Sequence, residues 1–158
     1  MLDLDSVTVI IVNYNAGSLL TRCVHAALEQ ARQVIVVDNA SSDSSVLNLE
    51  SEFSLENRLS IIRSESNIGF AAGCNKGLNA ATQPYILFLN PDCMLQSGTL
   101  KHLVQVLESD STIGMVGGYL TNPDGSEQGG GRRAIPSPWR AFVRAFGLYH
   151  LEKYWPKI

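Results

Sequence analysis

Cysteine, long apolar runs and charged residues are all scarce in this chain of 158 residues, and each scarcity excludes a class of protein. The three cysteines, an odd number without a C-x-x-C pair, argue against a disulfide framework or a zinc knuckle and favour free thiols in a reducing cytoplasm. The longest apolar run, Val7–Val12, is far shorter than the roughly 18 residues of a membrane-spanning helix. The acidic first residues lack the basic and apolar regions of a signal peptide.

Charge is unevenly distributed along the chain. Hydrophobic residues make up 45% and charged residues 17% of the sequence, a composition typical of one folded α/β domain and not of a disordered chain. The formal net charge is -3, yet residues 132–158 hold six basic groups and one acid. The first 131 residues are therefore strongly acidic, which argues against non-specific binding of nucleic acid.

Strand and helix patterns alternate along the sequence. Apolar runs rich in β-branched residues predict strands at 7–12, 34–37, 59–63, 85–89 and 113–120. Apolar residues at helical spacing predict a helix capped by Ser18, others over 46–53 and 69–81, and one from Ser97. Short connections between alternating elements imply right-handed crossovers. The sequence therefore predicts an α/β fold whose mostly parallel sheet carries helices on both faces.

Polar side chains follow the predicted strands at the point where each strand ends. They form four clusters, at 13–15, 38–39, 67–70 and 90–92. Any one of these Asn and Asp residues is more simply explained as a helix cap, but four clusters at one sheet edge favour a ligand site. The mixture of amides, single carboxylates and one tyrosine suits a nucleotide. No G-x-G-x-x-G follows the first strand, and no G-x-x-x-x-G-K-[ST] occurs, so a dinucleotide fold or a P-loop is not indicated.

Four sequence blocks in this order resemble the GT-A fold glycosyltransferases of family 2. The blocks are Val9-Ile-Ile-Val-Asn-Tyr-Asn15, Val36-Val-Asp-Asn-Ala-Ser41, Asn67-Ile-Gly-Phe-Ala-Ala-Gly-Cys-Asn75 and Leu87-Phe-Leu-Asn-Pro-Asp92. Together they cover about residues 7–95. The Asn-Pro-Asp form is most similar to the rhamnosyltransferase-like branch, which typically uses deoxythymidine-diphosphate rhamnose to build bacterial surface polysaccharide.

The resemblance implies a role for each matching residue. The nucleotide pocket would be formed by Asn13, Tyr14, Asn15, Asp38, Asn67, Gly69 and Asn75. Within it, Asp38 would accept a hydrogen bond from a pyrimidine, and Gly69 would let the backbone approach the nucleotide. Asp92 would be the last residue of the family's D-x-D motif and would bind Mg²⁺ or Mn²⁺. Asn90 replaces the first Asp of that motif, which removes one charge from the metal site.

The resemblance also divides the chain into two parts. Residues 1–120 would form the nucleotide-sugar-binding GT-A domain, and 121–158 would begin the acceptor-side half, most of which we expect the chain to lack. A donor loop would contain Gln128, Arg132 and Arg133, although Gly129–Gly131 departs from the pattern of the branch. The general base of the family comes from a later segment, and the loop acids Asp124 and Glu127 are poor substitutes for it, so the base is not identified.

The resulting prediction is an inverting, metal-dependent transferase that moves a sugar, with rhamnose as the candidate, from a nucleoside-diphosphate donor. The acceptor would be a saccharide or a lipid-linked saccharide. The aromatic and basic segment 139–158 is interpreted either as a peripheral helix at the inner membrane face or, more simply, as a core helix. One alternative function is a non-catalytic nucleotide-sugar-binding fragment or pseudoenzyme. Another, a phosphoacceptor receiver domain, needs paired acids after the first strand, where 13–15 has none.

Overall fold

Strands and helices alternate along residues 6–129, the part of the chain that the structure, a computed structural model, describes. The strands are β1 (Val7–Asn13), β2 (Gln33–Asp38), β3 (Leu59–Arg63) and β4 (Tyr85–Leu89). The helices are α1 (Ser18–Leu28), α2 (Ser45–Glu52), α3 (Phe70–Leu78) and α4 (Thr99–Ser109). The predicted alternation is thus confirmed for these four strands and four helices, with bounds that differ by a few residues.

The four strands form one parallel sheet in the order β3-β2-β1-β4. The chain winds outward from β1 through β2 to β3, and then crosses back to place β4 on the other side of β1. The direction of winding therefore reverses between β1 and β4. In open α/β sheets, the crevice outside the carboxyl ends of the strands at such a reversal is where ligands bind.

Helices cover both faces of the sheet, as the sequence predicts. On one face, α1, α2 and α4 bury a core of aliphatic side chains that includes Val9, Ile11, Leu20, Leu49 and Leu100. On the other face, α3 lies against a smaller cluster formed by Ile10, Ile35 and Val37. Because β1 and β2 are covered on both sides, their side chains are almost entirely buried, which explains their continuous apolar runs.

Two glycines of α3 allow this helix to approach the sheet closely. A Cβ atom added to Gly77 would lie 2.5 Å from Ile10 Cγ2, and one added to Gly73 would lie 2.8 Å from Val12 Cγ1. Both distances are shorter than carbon atoms tolerate. Glycine weakens a helix by about 1 kcal/mol relative to alanine, and at these two positions close packing against β1 explains its presence.

The predicted cap of α1 is wrong in detail. Ser18 is the first residue of α1 and its side chain makes no capping hydrogen bond. The residue before it, Gly17, has a positive φ of 58°, and its N–H donates to Asp43 Oδ2 at 2.9 Å. A carboxylate 26 residues further along the chain therefore meets a donor at the start of the helix, which local sequence pattern does not reveal.

The predicted fifth strand, 113–120, is also wrong, because the structure has no helix or strand over this range. Three glycines occupy positions 114, 117 and 118, and Met115 is 88% exposed, so few side chains are available to pack. The chain divides into two compact units, Met1–Gly118 and Tyr119–Ile158. In the described part of the second unit, Thr121 and Glu127 form an antiparallel bridge.

The four helices of residues 6–129 contain at most 11 residues each. None of them is long and apolar enough to cross a bilayer.

Candidate functional site

The carboxyl ends of β1, β2 and β4 meet at one edge of the sheet. Asn13, the last residue of β1, pairs with Asp38, the last residue of β2. Leu89, the last residue of β4, pairs with Ile11 of the same central strand, so Asn90 leaves β4 beside the end of β1. The polar clusters that follow these strands therefore lie along a common edge, as the sequence predicts from parallel pairing.

Asn13 and Asp38 form the centre of a buried polar network at this edge. Asn13 is fully buried, and its Nδ2 lies 2.9 Å from Asp38 Oδ1 and 3.0 Å from the hydroxyls of Ser41 and Ser45. Asp38 is 4% exposed and also accepts hydrogen bonds from the Ser41 hydroxyl and backbone N–H. The carboxylate is thus surrounded by protein donors, and it holds the 41–45 loop against the end of β1.

Asn15 and Asp43 support the same loop from outside. Asn15 has a positive φ of 53°, and its Oδ1 accepts hydrogen bonds from the backbone N–H groups of Ser42 and Asp43. Asp43 in turn accepts from the Ser45 hydroxyl and N–H, and from Gly17 N–H. The Ser45 hydroxyl contributes most to lowering the pKa of the Asp43 carboxyl below its usual value. These side chains fix the backbone of the 41–45 loop and of Gly17 at this edge.

Asn39 lies at this edge, in the predicted polar cluster 38–39, and has no role assigned to it from the sequence. It is 2% exposed, and its Nδ2 donates to Gly69 O at 3.2 Å. Its Oδ1 is buried without a hydrogen-bond partner, as is Oδ1 of Asn13. An unpaired buried carbonyl normally costs about 1–3 kcal/mol, so these two oxygens are acceptors whose hydrogen-bonding capacity the described residues leave unused.

The start of α3 lies beside Asn39. Gly69 precedes the helix with a positive φ of 84°, and its N–H is held by Asn67 Oδ1 at 2.9 Å in a local turn. No side chain caps the N-terminus of α3, and helix N-termini favour anionic ligands. The signal for this arrangement is present in the sequence, since Asn67-Ile-Gly69 is a turn followed by a helical pattern. The bond from Asn39 is a long-range contact that the pattern does not show.

Exposed side chains line the same edge. Tyr14 and Phe70 are each 54% exposed, and Asn75 is exposed on α3. Of the predicted nucleotide-binding residues, the structure thus exposes Tyr14, Asn15, Asn67, Gly69 and Asn75, and buries Asn13 and Asp38. The two buried residues are the framework of the edge. Among the exposed ones, Asn15 and Asn67 already accept protein hydrogen bonds through their Oδ1 atoms.

The predicted metal ligands lie in a tight turn after β4. The turn is closed by Cys93 N–H, which donates to Asn90 O at 3.0 Å. Asn90 and Asp92 are both exposed, so each can present an oxygen to a cation. One carboxylate and one amide suit a hard divalent ion that takes its remaining ligands from phosphate and water. Residues 6–129 contain no group of three or more His, Cys, Asp or Glu side chains arranged to hold a metal.

Two thiols lie at this turn, one from α1 and one from the turn itself. Cys23 of α1 is fully buried, and its Sγ donates to the same Asn90 carbonyl at 3.4 Å. Burial raises the pKa of the Cys23 thiol to about 12, and neighbouring Cys93 and Asp92 add to the rise. Cys93 is half-buried, with its Sγ 3.8 Å from Asp92 Oδ1, and burial raises the pKa of its thiol as well. All three cysteines are free, as expected from the sequence.

In the second unit, Gln128 is exposed and its N–H donates to Leu120 O at 2.9 Å. Asp124 accepts from the hydroxyl and N–H of Ser126, and these bonds lower the pKa of its carboxyl. Glu127 lies 3.4 Å from the Tyr119 hydroxyl. An acid held by its own turn with a lowered pKa is a weak proton acceptor. The other donor-loop residues, Arg132 and Arg133, and the segment 139–158 lie outside the described residues.

Comparison with known proteins gives a consistent set of relatives. A sequence model of the family described as "Glycosyl transferase family 2" matches residues 8–156. The glycosyltransferase GlyG of Streptococcus pneumoniae is 27% identical over 73% of this chain and 39% of its own length. The putative teichuronic acid biosynthesis glycosyltransferase TuaG of Bacillus subtilis is 30% identical over 76% of this chain and 49% of its own length. The chain therefore spans less than half the length of either relative.

Solved structures resemble the fold over about two thirds of the chain. The mannosyltransferase PcManGT from Pyrobaculum calidifontis, solved with GDP-Man and Mn²⁺, matches with a TM-score of 0.60 and 26% identity, over 69% of this chain and 34% of its own. TarS from S. aureus, solved with UDP-GlcNAc, matches with a TM-score of 0.57 and 22% identity, over 66% of this chain and 31% of its own. The likeness to TarS concerns the fold alone.

Proposed function

Because the chain belongs to glycosyl transferase family 2, we propose that it binds a nucleoside-diphosphate sugar at the carboxyl edge of its sheet and acts as the donor-binding part of an inverting glycosyltransferase. The observation that carries this proposal is that two polar groups at the carboxyl edge of the sheet have binding capacity that the protein leaves unused. One is the unpaired, buried Asn39 Oδ1, and the other is the exposed Asp92 carboxylate. The first suits a base donor and the second suits a cation bound to diphosphate.

The nucleotide is proposed to lie over the ends of β1 and β2 and the start of α3. Asp38 already accepts hydrogen bonds from Asn13 and Ser41, so we assign it the role of holding the pocket's framework. The acceptor for an N–H group of the base is then Asn39 Oδ1, which has no protein partner. Exposed Tyr14 offers a ring beside the base. Asn15, Asn67, Gly69 and Asn75 complete the pocket.

Asn90 and Asp92 are proposed to hold Mg²⁺ or Mn²⁺ together with the diphosphate. When bound, such an ion would neutralise charge on the departing phosphate as the bond to the sugar breaks. The exposed Asp92 carboxylate supplies the protein's negative charge at that point, and Asn90 supplies a neutral oxygen in place of a second charge. We therefore expect weaker metal binding than a site with two carboxylates would have.

The donor sugar and the acceptor are finer parts of the proposal. The Asn-Pro-Asp turn supports a rhamnosyltransferase-like enzyme with a thymidine-diphosphate donor. We propose a saccharide or lipid-linked saccharide as acceptor, with peripheral contact at the inner membrane face through 139–158. Gln128, Arg132 and Arg133 are proposed as residues of a donor loop.

Calorimetric titration with uridine, guanosine and thymidine diphosphates, with and without Mn²⁺, tests the pocket. Asn39→Ala is expected to weaken binding of the preferred nucleotide about tenfold. The loss of one good hydrogen bond costs about 1.4 kcal/mol, which corresponds to a tenfold change in affinity. Asn39→Asp is the matched control, because it keeps an acceptor oxygen while it loses the same bond to Gly69 as the alanine variant does. Equal affinities for Asn39→Ala and the parent would contradict the assignment.

A non-catalytic role in nucleotide-sugar binding is the second candidate. It is favoured by the state of Asp124, whose carboxyl is engaged by Ser126 and has a lowered pKa. Release of nucleoside diphosphate from the donor, measured with and without an acceptor saccharide, separates the two functions. Acceptor-dependent release supports the transferase, whereas binding together with release at the buffer background supports the non-catalytic role.

A further inference from the structure

The thiols of Cys23 and Cys93 lie at the turn formed by Asn90–Cys93. The proposed function uses neither of them. Cys23 Sγ and Cys93 N–H both donate to one oxygen, the Asn90 carbonyl, at 3.4 Å and 3.0 Å. Their sulfur and nitrogen atoms are therefore neighbours around a single acceptor. Cys93 also packs against the apolar cluster that contains Cys23. The third cysteine, Cys74, lies on α3, which covers the opposite face of the sheet.

We propose that Cys23 and Cys93 are a reversible disulfide pair that ties the turn after β4 to α1. Cys93 is the half-buried and therefore accessible member, and Cys23 is the fully buried one. The roles follow from this difference. A small disulfide oxidant, such as oxidised glutathione, meets Cys93 first, and Cys23 resolves the product.

The exchange balances in two steps. The Cys93 sulfur attacks one sulfur of glutathione disulfide, which forms a mixed disulfide and releases one glutathione thiol. The Cys23 sulfur then attacks the sulfur of Cys93 and releases the second glutathione. Two protein thiols are thereby oxidised to one disulfide, one glutathione disulfide is reduced to two thiols, and the two protein protons leave with the released thiols. Cys23 is buried and Cys93 is partly buried, which limits the access of glutathione, so we expect the exchange to be slow.

The consequence is a redox-dependent tether at the turn that carries Asn90 and Asp92. In the reduced state only backbone and thiol hydrogen bonds hold this turn to α1. A covalent link closes the loop between residues 23 and 93 and restricts the unfolded chain, which raises the melting temperature. The disulfide does not depend on the proposed function. Only its effect on the metal site does, and the experiment below measures the disulfide itself.

Intact-mass analysis after incubation with oxidised glutathione tests the pair. The parent is expected to lose two hydrogen atoms in mass, to yield a Cys23–Cys93 cross-linked peptide after digestion, and to regain its mass and lower melting temperature with a reductant. Cys74→Ser, the matched control, is expected to behave like the parent. Cys23→Ser is expected to stop at the mixed disulfide, with one glutathione retained on Cys93.

Two results would overturn the proposal. One is that the parent stops at the mixed disulfide on Cys93 and does not form a protein disulfide. The other is that the cross-linked peptide contains Cys74. Because Cys23 is buried and its serine variant is at risk of misfolding, Cys93→Ser provides an independent check. This variant is expected to keep the parent's far-ultraviolet spectrum and to form no protein disulfide, and a disulfide in it would equally refute the pair.

Discussion

Two polar clusters lie at the same edge of the sheet, yet they differ in what surrounds them. At the ends of β1 and β2, the Asp38 carboxylate is 4% exposed and accepts hydrogen bonds from Asn13 and Ser41. After β4, the Asp92 carboxylate is exposed, and the contact described for it is a weak one with the Cys93 thiol at 3.8 Å. Asp38 is the last residue of β2, and Asp92 lies three residues after the end of β4.

The difference in surroundings assigns Asp38 to the stability of the fold and Asp92 to ligand binding. A carboxylate whose oxygens are occupied by protein donors stabilises its surroundings and has little left to offer a ligand. An exposed carboxylate adds little to stability and keeps its full capacity to bind a cation. We therefore expect the two residues to respond in opposite ways when stability and ligand binding are measured on the same variants.

Asp38→Ala is expected to give the largest loss of stability. The change leaves the fully buried Asn13 amide and the Ser41 hydroxyl without their shared acceptor, which costs about 3 kcal/mol in the free energy of unfolding. Asp92→Ala, the matched control at the same edge, is expected to change it by less than about 0.5 kcal/mol. Urea denaturation measures both. A loss of similar size in the two variants would remove the distinction between the clusters.

Gly77→Ala is expected to destabilise the protein by about 1–2 kcal/mol. The new methyl group would clash with Ile10 Cγ2, and overpacking of this kind typically costs about 1–3 kcal/mol, partly offset by the higher helix propensity of alanine. Gly114→Ala is the control, because nothing lies within 4 Å of a Cβ atom there. Equal stability of the Gly77 variant and the parent in the same urea assay would show that α3 can move away from the sheet.

Asp43→Asn is expected to have the smallest effect on stability, and one that depends on pH. The lowered pKa of Asp43 means that its ionised form stabilises the fold above the ordinary aspartate pKa of about 3.9. This contribution is lost as the pH falls through the folded-state pKa. The parent should therefore lose more stability than the variant between neutral and acidic pH, as followed by thermal melting. Parallel curves for the two proteins would contradict this role.

Most of the fold could be predicted from the sequence because each of β1 to β4 contains an apolar run, and the runs of β1 and β2 are almost entirely buried. Val34–Val37, for example, needs only a covered sheet to explain it. The fifth strand failed because apolar residues at 113–120 are diluted by three glycines and have no strand to pair with among the described residues. The cap of α1 failed because its partner, Asp43, comes from another loop.

The position of the candidate site could be predicted from the sequence, but the role of each side chain in it could not. Parallel strands bring their carboxyl ends together, so the common edge followed from the pattern. Whether a given side chain faces protein or solvent depends on tertiary contacts. Asp38 and Asp92 each lie near the end of an apolar run, and only the structure shows that Asn13 and Ser41 donate hydrogen bonds to the Asp38 carboxylate. Asn39 was missed for the same reason, since its unpaired oxygen is a feature of packing.

The central claim is that the exposed Asp92, and not the buried Asp38, links a cation to a bound nucleoside diphosphate. The most direct test is the rise in melting temperature caused by nucleoside diphosphate, measured with and without Mn²⁺ for the parent and Asp92→Ala. Glu108→Gln is the control, because it removes an exposed charge at the opposite end of β4, beside Tyr85. A Mn²⁺-dependent rise is expected in the parent and Glu108→Gln, and none in Asp92→Ala. An identical Mn²⁺-dependent rise in Asp92→Ala would contradict it.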